Sequence, residues 1–457
     1  MLTAVNPATG ETVREVTPDT DAIVEAKLDA SLNAYRQWKE TSFADRAALL
    51  NKVAGVLRDK VETFAPVMTE EMGKPINEAR GEVNKSAWCA EHYAEHAEAY
   101  LARQTITSDA TLSYVQHLPI GPVLGILPWN APFWLAFRFS APALMAGNSC
   151  LMKHDPHVPG CAQAIEQAFK DAGAPEGLFQ ALYLETPRVE VVMRDKRVRG
   201  ISFTGSSRGG AKVAEIAGSE IKPAVLELGG SDPSIVLADA DLEKAAEVLT
   251  LSRIINAGQS CIAAKRIIVE DAVYDEVKQL LSQKLGALKV GDPASEKTDV
   301  GPIARKDLRD TLDRQVQASI SEGAECLFGG EVPDGNGYFY PVTLLAGVEP
   351  GMTAFREETF GPIGVLIRAK DESHALDLAN DTEYGLAASV WTNAARGEEM
   401  AGRIEAGQVS VNGIVKTDPR LPSGGVKSSG LGRELGPHGI MEFVNAQQVW
   451  VGPVKDG

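Results

Sequence analysis

Val123-Leu124-Gly125-Ile126-Leu127-Pro128-Trp129-Asn130 is a short apolar run that stops at a proline and a turn residue. A run of this length without polar alternation suits a strand buried on both faces. Working outward, a helical pattern follows Pro132. Then come an apolar run at Cys150–Lys153, a helix from about Gly160, short runs at Ala181–Tyr183 and Ile201–Phe203, and a helix through Ala211–Ala217. That alternation is the signature of a parallel sheet covered by helices. A second series runs from Pro223 to about Ser410, with strands expected near Ser234–Leu237, Arg266–Val269, Ile363–Ile367 and Ser389–Trp391. The expected fold class is therefore α/β with two doubly wound lobes. The wider stretch Leu118 to Phe137 carries no charge over a membrane-spanning length. Its four prolines and Asn130 would leave backbone groups unpaired in lipid, so it reads as a buried strand and turn of a soluble core.

The flanking segments differ. Asp21 to Trp38, Ala44 to Leu57 and Asn77 to Leu101 space their apolar residues three and four apart, the helical period. Residues 103 to 118 switch to alternation and predict a hairpin, and Met441–Val451 predicts a final strand. Hairpin and tail together suggest pairing with another subunit, as a homodimer or homotetramer. The 457 residues suit about three domains. A net charge of −17 repels phosphate backbones and anionic lipid, which argues against nucleic-acid and membrane partners. The five cysteines are widely spaced, with no CxxC, and the N-terminus shows no basic start before an apolar stretch. A reducing, cytoplasmic setting is expected.

Three features carry candidate chemistry. In Asn256-Ala257-Gly258-Gln259-Ser260-Cys261 a cysteine sits in a glycine-containing loop. It is either a nucleophile beside exposed N–H groups or a buried inert thiol. In Leu226-Glu227-Leu228-Gly229-Gly230 a carboxylate stands between leucines at a strand end. An apolar setting would make Glu227 a base near neutrality; the plainer reading is an exposed acid. Asn130 ends the opening strand where ligands bind in such sheets, and is either an oxyanion donor or an ordinary turn residue. Two other matches lead elsewhere. His92-Tyr93-Ala94-Glu95-His96 fits a zinc pattern but has no obvious third ligand, and reads as a solvated helix face with no metal. Gly205-Ser206-Ser207-Arg208-Gly209 fits a nucleophile elbow, so a serine hydrolase using Ser207, with His374 or His438 as base, is the rival from another class.

The three features stand in order with Phe203-Thr204-Gly205-Ser206, Glu357-Glu358-Thr359-Phe360-Gly361-Pro362 and Pro422-Ser423-Gly424-Gly425-Val426-Lys427-Ser428-Ser429-Gly430. Together they resemble the aldehyde dehydrogenase superfamily over essentially the whole chain. Within it, KHDPHVPGCA (153–162), LELGGSDP (226–233) and INAGQSCIAAKR (255–266) look most like the bacterial succinate-semialdehyde dehydrogenases. The resemblance implies oxidation of an aldehyde to an acid with a nicotinamide cofactor. Cys261 would be the nucleophile, Asn130 and the Cys261 N–H the oxyanion donors, and Glu227 the activator of the hydrolytic water. Lys153 would bond the adenine ribose, Gly205 and Ser206 would lie near the pyrophosphate, and Glu358 would grip the nicotinamide ribose beside Phe360. Pro128, Trp129, His154, Thr204 and Leu228 would complete the cofactor site. NAD-preferring relatives usually carry Glu three residues after the lysine, where this chain has Pro156. Asp155 restores part of that charge, so both NAD and NADP are expected, leaning to NADP.

For the substrate, the resemblance implies that Arg138 holds the carboxylate of succinate semialdehyde and that Thr417 stands in for a helping serine. A second arginine of some relatives is Ile255 here, which leaves glutarate semialdehyde or plain aliphatic aldehydes as alternative substrates. The implied layout is a cofactor lobe of 1–102 and 119–227, a catalytic lobe of 228–434, and a small β oligomerisation element of 103–118 and 435–457.

Overall fold

The computed structural model describes residues 1–453. Two parallel-rich sheets organise it. The first holds six strands in the spatial order Gly430–Leu431, Ala224–Glu227, Gly200–Thr204, Val123–Leu127, Cys150–His154 and Phe179–Ala181. The Val123–Leu127 strand lies mid-sheet, and all five of its residues are buried, as its apolar sequence demands. The following helix Pro132–Met145 is buried along its whole length, packed between the sheet and the helix Ile76–Tyr100. Proline at its first turn costs no hydrogen bond there.

Strand order reverses at Val123–Leu127, whose neighbours are Cys150–His154 on one side and Gly200–Thr204 on the other. In-register parallel pairing lines up Leu127 with His154, Ile126 with Phe203, and Thr204 with Glu227. Asn130, Lys153, Gly205 and Glu227 therefore emerge along one edge, the carboxyl ends, where open α/β sheets bind ligands.

The second sheet has seven strands, with Pro233–Val236 and Arg266–Glu270 near its middle and Ile363–Ala369 and Ala387–Trp391 beyond them. Only Glu325–Phe328 at its edge runs antiparallel. A third sheet joins Val444–Val451, Leu112–Pro119 and Gln104–Thr105.

Three expectations need correcting. Gly430–Leu431, expected in the catalytic lobe, pairs antiparallel with Leu226 and Glu227 and so extends the first sheet. A side chain on Gly430 would collide with the Leu226 carbonyl oxygen, which is why the strand can approach only there. The segment 435–443, assigned to oligomerisation, contains the helix Gly436–Met441, and Leu435 and Ile440 are buried in the first lobe's core. Ahead of the expected helices, Leu2–Val5 and Thr12–Val16 form an additional hairpin. The strand expected at Ala181–Tyr183 lies at Phe179–Ala181, on the sheet edge. The tail strand begins at Val444, and residues 454–457 of the oligomerisation element lie outside the described residues.

Candidate active site

Glu227 is the last residue of its strand and is 3% exposed. The glycine-rich segment 422–430 folds over it: Gly424 lies so close that a Cβ there would sit 2.9 Å from Glu227 Oε1. Ser429 clamps the next turn by donating Oγ to the Gly229 carbonyl at 2.6 Å and accepting from Gly385 N at 2.9 Å. Burial pushes the Glu227 carboxyl up to about 7. Arg138 pulls against that shift, and Glu434 adds to it. Oε2 accepts from Arg138 Nη2 at 3.0 Å, while Oε1 has no hydrogen-bond partner among the described residues.

Cys261 follows a strained loop. Asn256 and Ala257 adopt left-handed backbone conformations, at φ 55° and 53°, and Gly258 continues the run at 74°. Non-glycine residues held this way cost about 1–3 kcal/mol each and persist only under tertiary restraint. The restraint is visible. Asn256 N donates to Glu78 Oε2 at 2.7 Å, and Asn256 Nδ2 donates to the Asn130 carbonyl at 2.8 Å. Lys265 Nζ donates to the carbonyls of Ser260 and Cys261, at 2.9 and 2.5 Å. Burial pushes the Cys261 thiol up to about 11, with Lys265 and Arg138 opposing. The Cys261 N–H makes no backbone hydrogen bond among the described residues. Asn130 Nδ2 donates to the Gln259 carbonyl at 3.1 Å, which brings its amide against the Cys261 loop and leaves one N–H for a ligand.

A cavity of about 450 Å³ opens onto these groups, bordered by Asn130, Cys261, Arg138, Trp134, Ile255 and Thr417. Arg138 was expected to reserve its fork for a substrate carboxylate. Instead it is 3% exposed, with Nε donating to Glu434 Oε2 at 2.5 Å and Nη2 to Glu227. Glu434 went unnoticed in the sequence because nothing local marks it. Thr417 does line the cavity, and its hydroxyl accepts from Lys85 Nζ at 2.8 Å.

At the other end of the sheet edge, Lys153 is 4% exposed and makes no hydrogen bond or ion pair among the described residues. Thr204 Oγ1 and His154 Nδ1 are likewise buried without partners. Ser206 caps the helix Ser207–Ser219 by accepting from Gly209 N at 3.2 Å, so free N–H groups and the helix dipole favour an anion there. Glu358 is held by Lys265 at 3.1 Å and by Gly230 N at 3.3 Å. Phe360 meets Trp129 edge-on, with ring centroids 6.0 Å apart. Unmatched donors and acceptors beside a dipole that favours phosphate fit a dinucleotide. Asp155 accepts from His157 N and is paired with its ring, which turns the carboxylate aside. Pro156 lies in the turn beside it.

The rival motifs dissolve. Ser207 Oγ donates only weakly to the Ser428 carbonyl, at 3.4 Å, and no histidine bonds to it among the described residues. His374 Nδ1 is occupied by Lys370 N. His92 is not on a solvated face: it is buried against Tyr93 and Tyr100, whose hydroxyl lies 3.1 Å from Nε2. No cluster of metal-binding side chains occurs among the described residues.

Comparison with known proteins gives a concordant result. The aldehyde dehydrogenase family model matches residues 1–449. A probable succinate-semialdehyde dehydrogenase (NADP+) of Synechocystis sp. is 46% identical over 451 residues, covering 98% of this chain and 99% of that protein. A succinate semialdehyde dehydrogenase (NAD(P)+) of Escherichia coli is 45% identical, covering 98% and 97%. The crystal structure of succinic semialdehyde dehydrogenase from Streptococcus pyogenes, in complex with NADP+, superposes with a TM-score of 0.96 at 35% identity, covering 99% and 100%.

Proposed function

This chain belongs to the aldehyde dehydrogenase family, and on that premise we propose that it oxidises succinate semialdehyde to succinate, using NADP or NAD with NADP favoured. The observation that carries the reading is the single cavity onto which Cys261, Asn130, Arg138 and Thr417 all open, with Glu227 bonded to Arg138 behind it.

Cys261, as thiolate, adds to the aldehyde carbon. Lys265 and Arg138 favour that ionisation against the cost of burial. The free N–H of the Asn130 amide and the Cys261 backbone N–H receive the developing oxyanion. One such donor is worth about 3 kcal/mol of transition-state stabilisation. A bound nicotinamide supplies the hydride acceptor. Glu227, its carboxyl raised toward neutrality by burial, takes a proton from the water that releases the acid from Cys261. Lys153, Thr204, Gly205 and Ser206 would hold the adenosine and phosphate end, and Glu358 and Phe360 the nicotinamide end. Pro156, and the turning of Asp155 toward His157, leave little charge to repel a 2′-phosphate.

The exposed Trp450 and Val451, with Leu112 and Leu118 on the same small sheet, are proposed to pair with further copies in a dimer or tetramer. The five free cysteines suit a cytoplasmic setting. Among the described residues no helix is long and apolar enough to cross a membrane.

Reduced-nicotinamide absorbance over a panel of aldehydes, with either cofactor, tests the reading. The highest kcat/KM is expected on succinate semialdehyde with NADP, abolished in Cys261→Ala. Undiminished turnover after stoichiometric alkylation of Cys261 would overturn it.

A further inference from the structure

Four cationic side chains border the cavity that opens onto Cys261: Lys74, Lys85, Arg138 and Lys416. Lys74 is matched by Glu82 and by the Asn130 carbonyl. Arg138 is matched by Glu227 and Glu434. Lys416 is exposed to water. Lys85, on the helix Ile76–Tyr100, differs from all three. It is half-buried, makes no ion pair among the described residues, and donates its only hydrogen bond to the Thr417 hydroxyl. Its ammonium stands 4.0 Å from the centroid of the Trp134 ring. The ring face offsets part of the lost hydration, but it supplies no counter-charge. Trp134 itself, 6% exposed, leaves its Nε1–H without a partner.

A partly desolvated ammonium with no acid at ion-pair distance is costly unless a ligand brings one. The groups that face Lys85 are Glu82 and Cys89 on its own helix, Arg138 on the neighbouring helix, and Asp418 beside Thr417. Burial, reinforced by the like charge of Arg138, lowers its pKa to about 8, and the acids only partly oppose this. Ile255, also lining the cavity, offers no charge.

We propose that Lys85, braced by Thr417 and the Trp134 ring, receives the far carboxylate of the substrate and is the specificity-determining residue that separates ω-carboxy aldehydes from plain aliphatic ones. Arg138, whose fork serves the two buried acids, is then not the group that receives the substrate carboxylate. The inference rests on the reading of the chain as a semialdehyde dehydrogenase, and deepens it.

The test is the ratio of kcat/KM for succinate semialdehyde to that for butanal, measured in the wild type, Lys85→Met and Lys85→Arg. Loss of a charge-assisted hydrogen bond predicts that Lys85→Met lowers the ratio by about tenfold or more, through KM for the semialdehyde. Lys85→Arg should restore most of it. Succinate, titrated calorimetrically, should bind Lys85→Met more weakly by a similar factor. The wild-type ratio should fall as pH rises through about 8, where the ammonium discharges, and should stay level in Lys85→Arg. A large wild-type ratio that Lys85→Met leaves unchanged, or equal losses on both aldehydes, overturns the assignment of Lys85 while sparing the semialdehyde reading. A wild-type ratio near one instead removes the semialdehyde reading itself.

Discussion

Arg138 donates Nη2 to Glu227 at 3.0 Å and Nε to Glu434 at 2.5 Å, so a single buried guanidinium opposes the burial that raises the carboxyl of Glu227, the acid proposed to activate water. Replacing it with Gln removes the charge that favours the Glu227 carboxylate. The pH midpoint of kcat should then move up by about one unit or more from about 7, on succinate semialdehyde and butanal alike. Two buried acids are also left uncompensated, at a cost of about 3–5 kcal/mol in stability at neutral pH. That loss should shrink on acidification, because Glu227, already raised by burial, takes up a proton. Thermal melts across pH and a kcat–pH profile check both halves, and an unmoved midpoint would refute the coupling.

Glu227→Gln keeps the shape of the socket and discards the base. The first turnover should still reduce one nicotinamide per subunit, after which the acyl group stays on Cys261. Steady-state kcat should drop by about 10²–10⁴. Rapid-mixing absorbance will show a burst and stall, and intact mass will show the added acyl group. A slow turnover with no burst would mean that Glu227 acts before the oxidation step.

At Gly258 the backbone takes φ 74°, and a side chain would run into the Gly361 carbonyl. Gly258→Ala should cost about 1–3 kcal/mol in stability and displace the nucleophile loop. Calorimetry should record the first effect. The second should appear as a changed alkylation rate at Cys261. A variant as stable as the parent would show that the loop relaxes freely.

The proposed lean to NADP should be reversible at one position. Pro156→Glu places a carboxylate where a 2′-phosphate is proposed to lie, and like charges at such a site repel. The kcat/KM ratio should shift toward NAD by about tenfold or more. If the ratio stays put, the phosphate is read elsewhere.

The parallel sheets were legible because they rest on local signals, as Val123–Leu127 announces itself by five apolar residues and a proline. Cys261, Glu227 and Asn130 were each ambiguous alone, and only their order with the other motifs marked them as candidates. Contacts between distant segments were not legible. Arg138 and Glu434 lie 296 residues apart, and no periodicity links them. Lys85 sits among charges on a helix whose pattern suggests a wet face, so only the packed structure shows its ammonium against Trp134. His92 was misread for the same reason. Gly430–Leu431 is too short to register as a strand, and its place is set by a close approach that glycine alone permits.

The return of residues 430–434 to the first sheet also bears on how the molecule is made. Until that segment leaves the ribosome, the Ala224–Glu227 strand has an open edge and Arg138 is matched on one side only. From Glu227 to Glu434, at roughly 5–20 residues per second, the wait is on the order of 10 to 40 s. A nascent chain of this design spends nearly its whole synthesis with its reaction centre incomplete, and a chain cut short before Glu434 should be a substrate for proteases rather than a partly active enzyme.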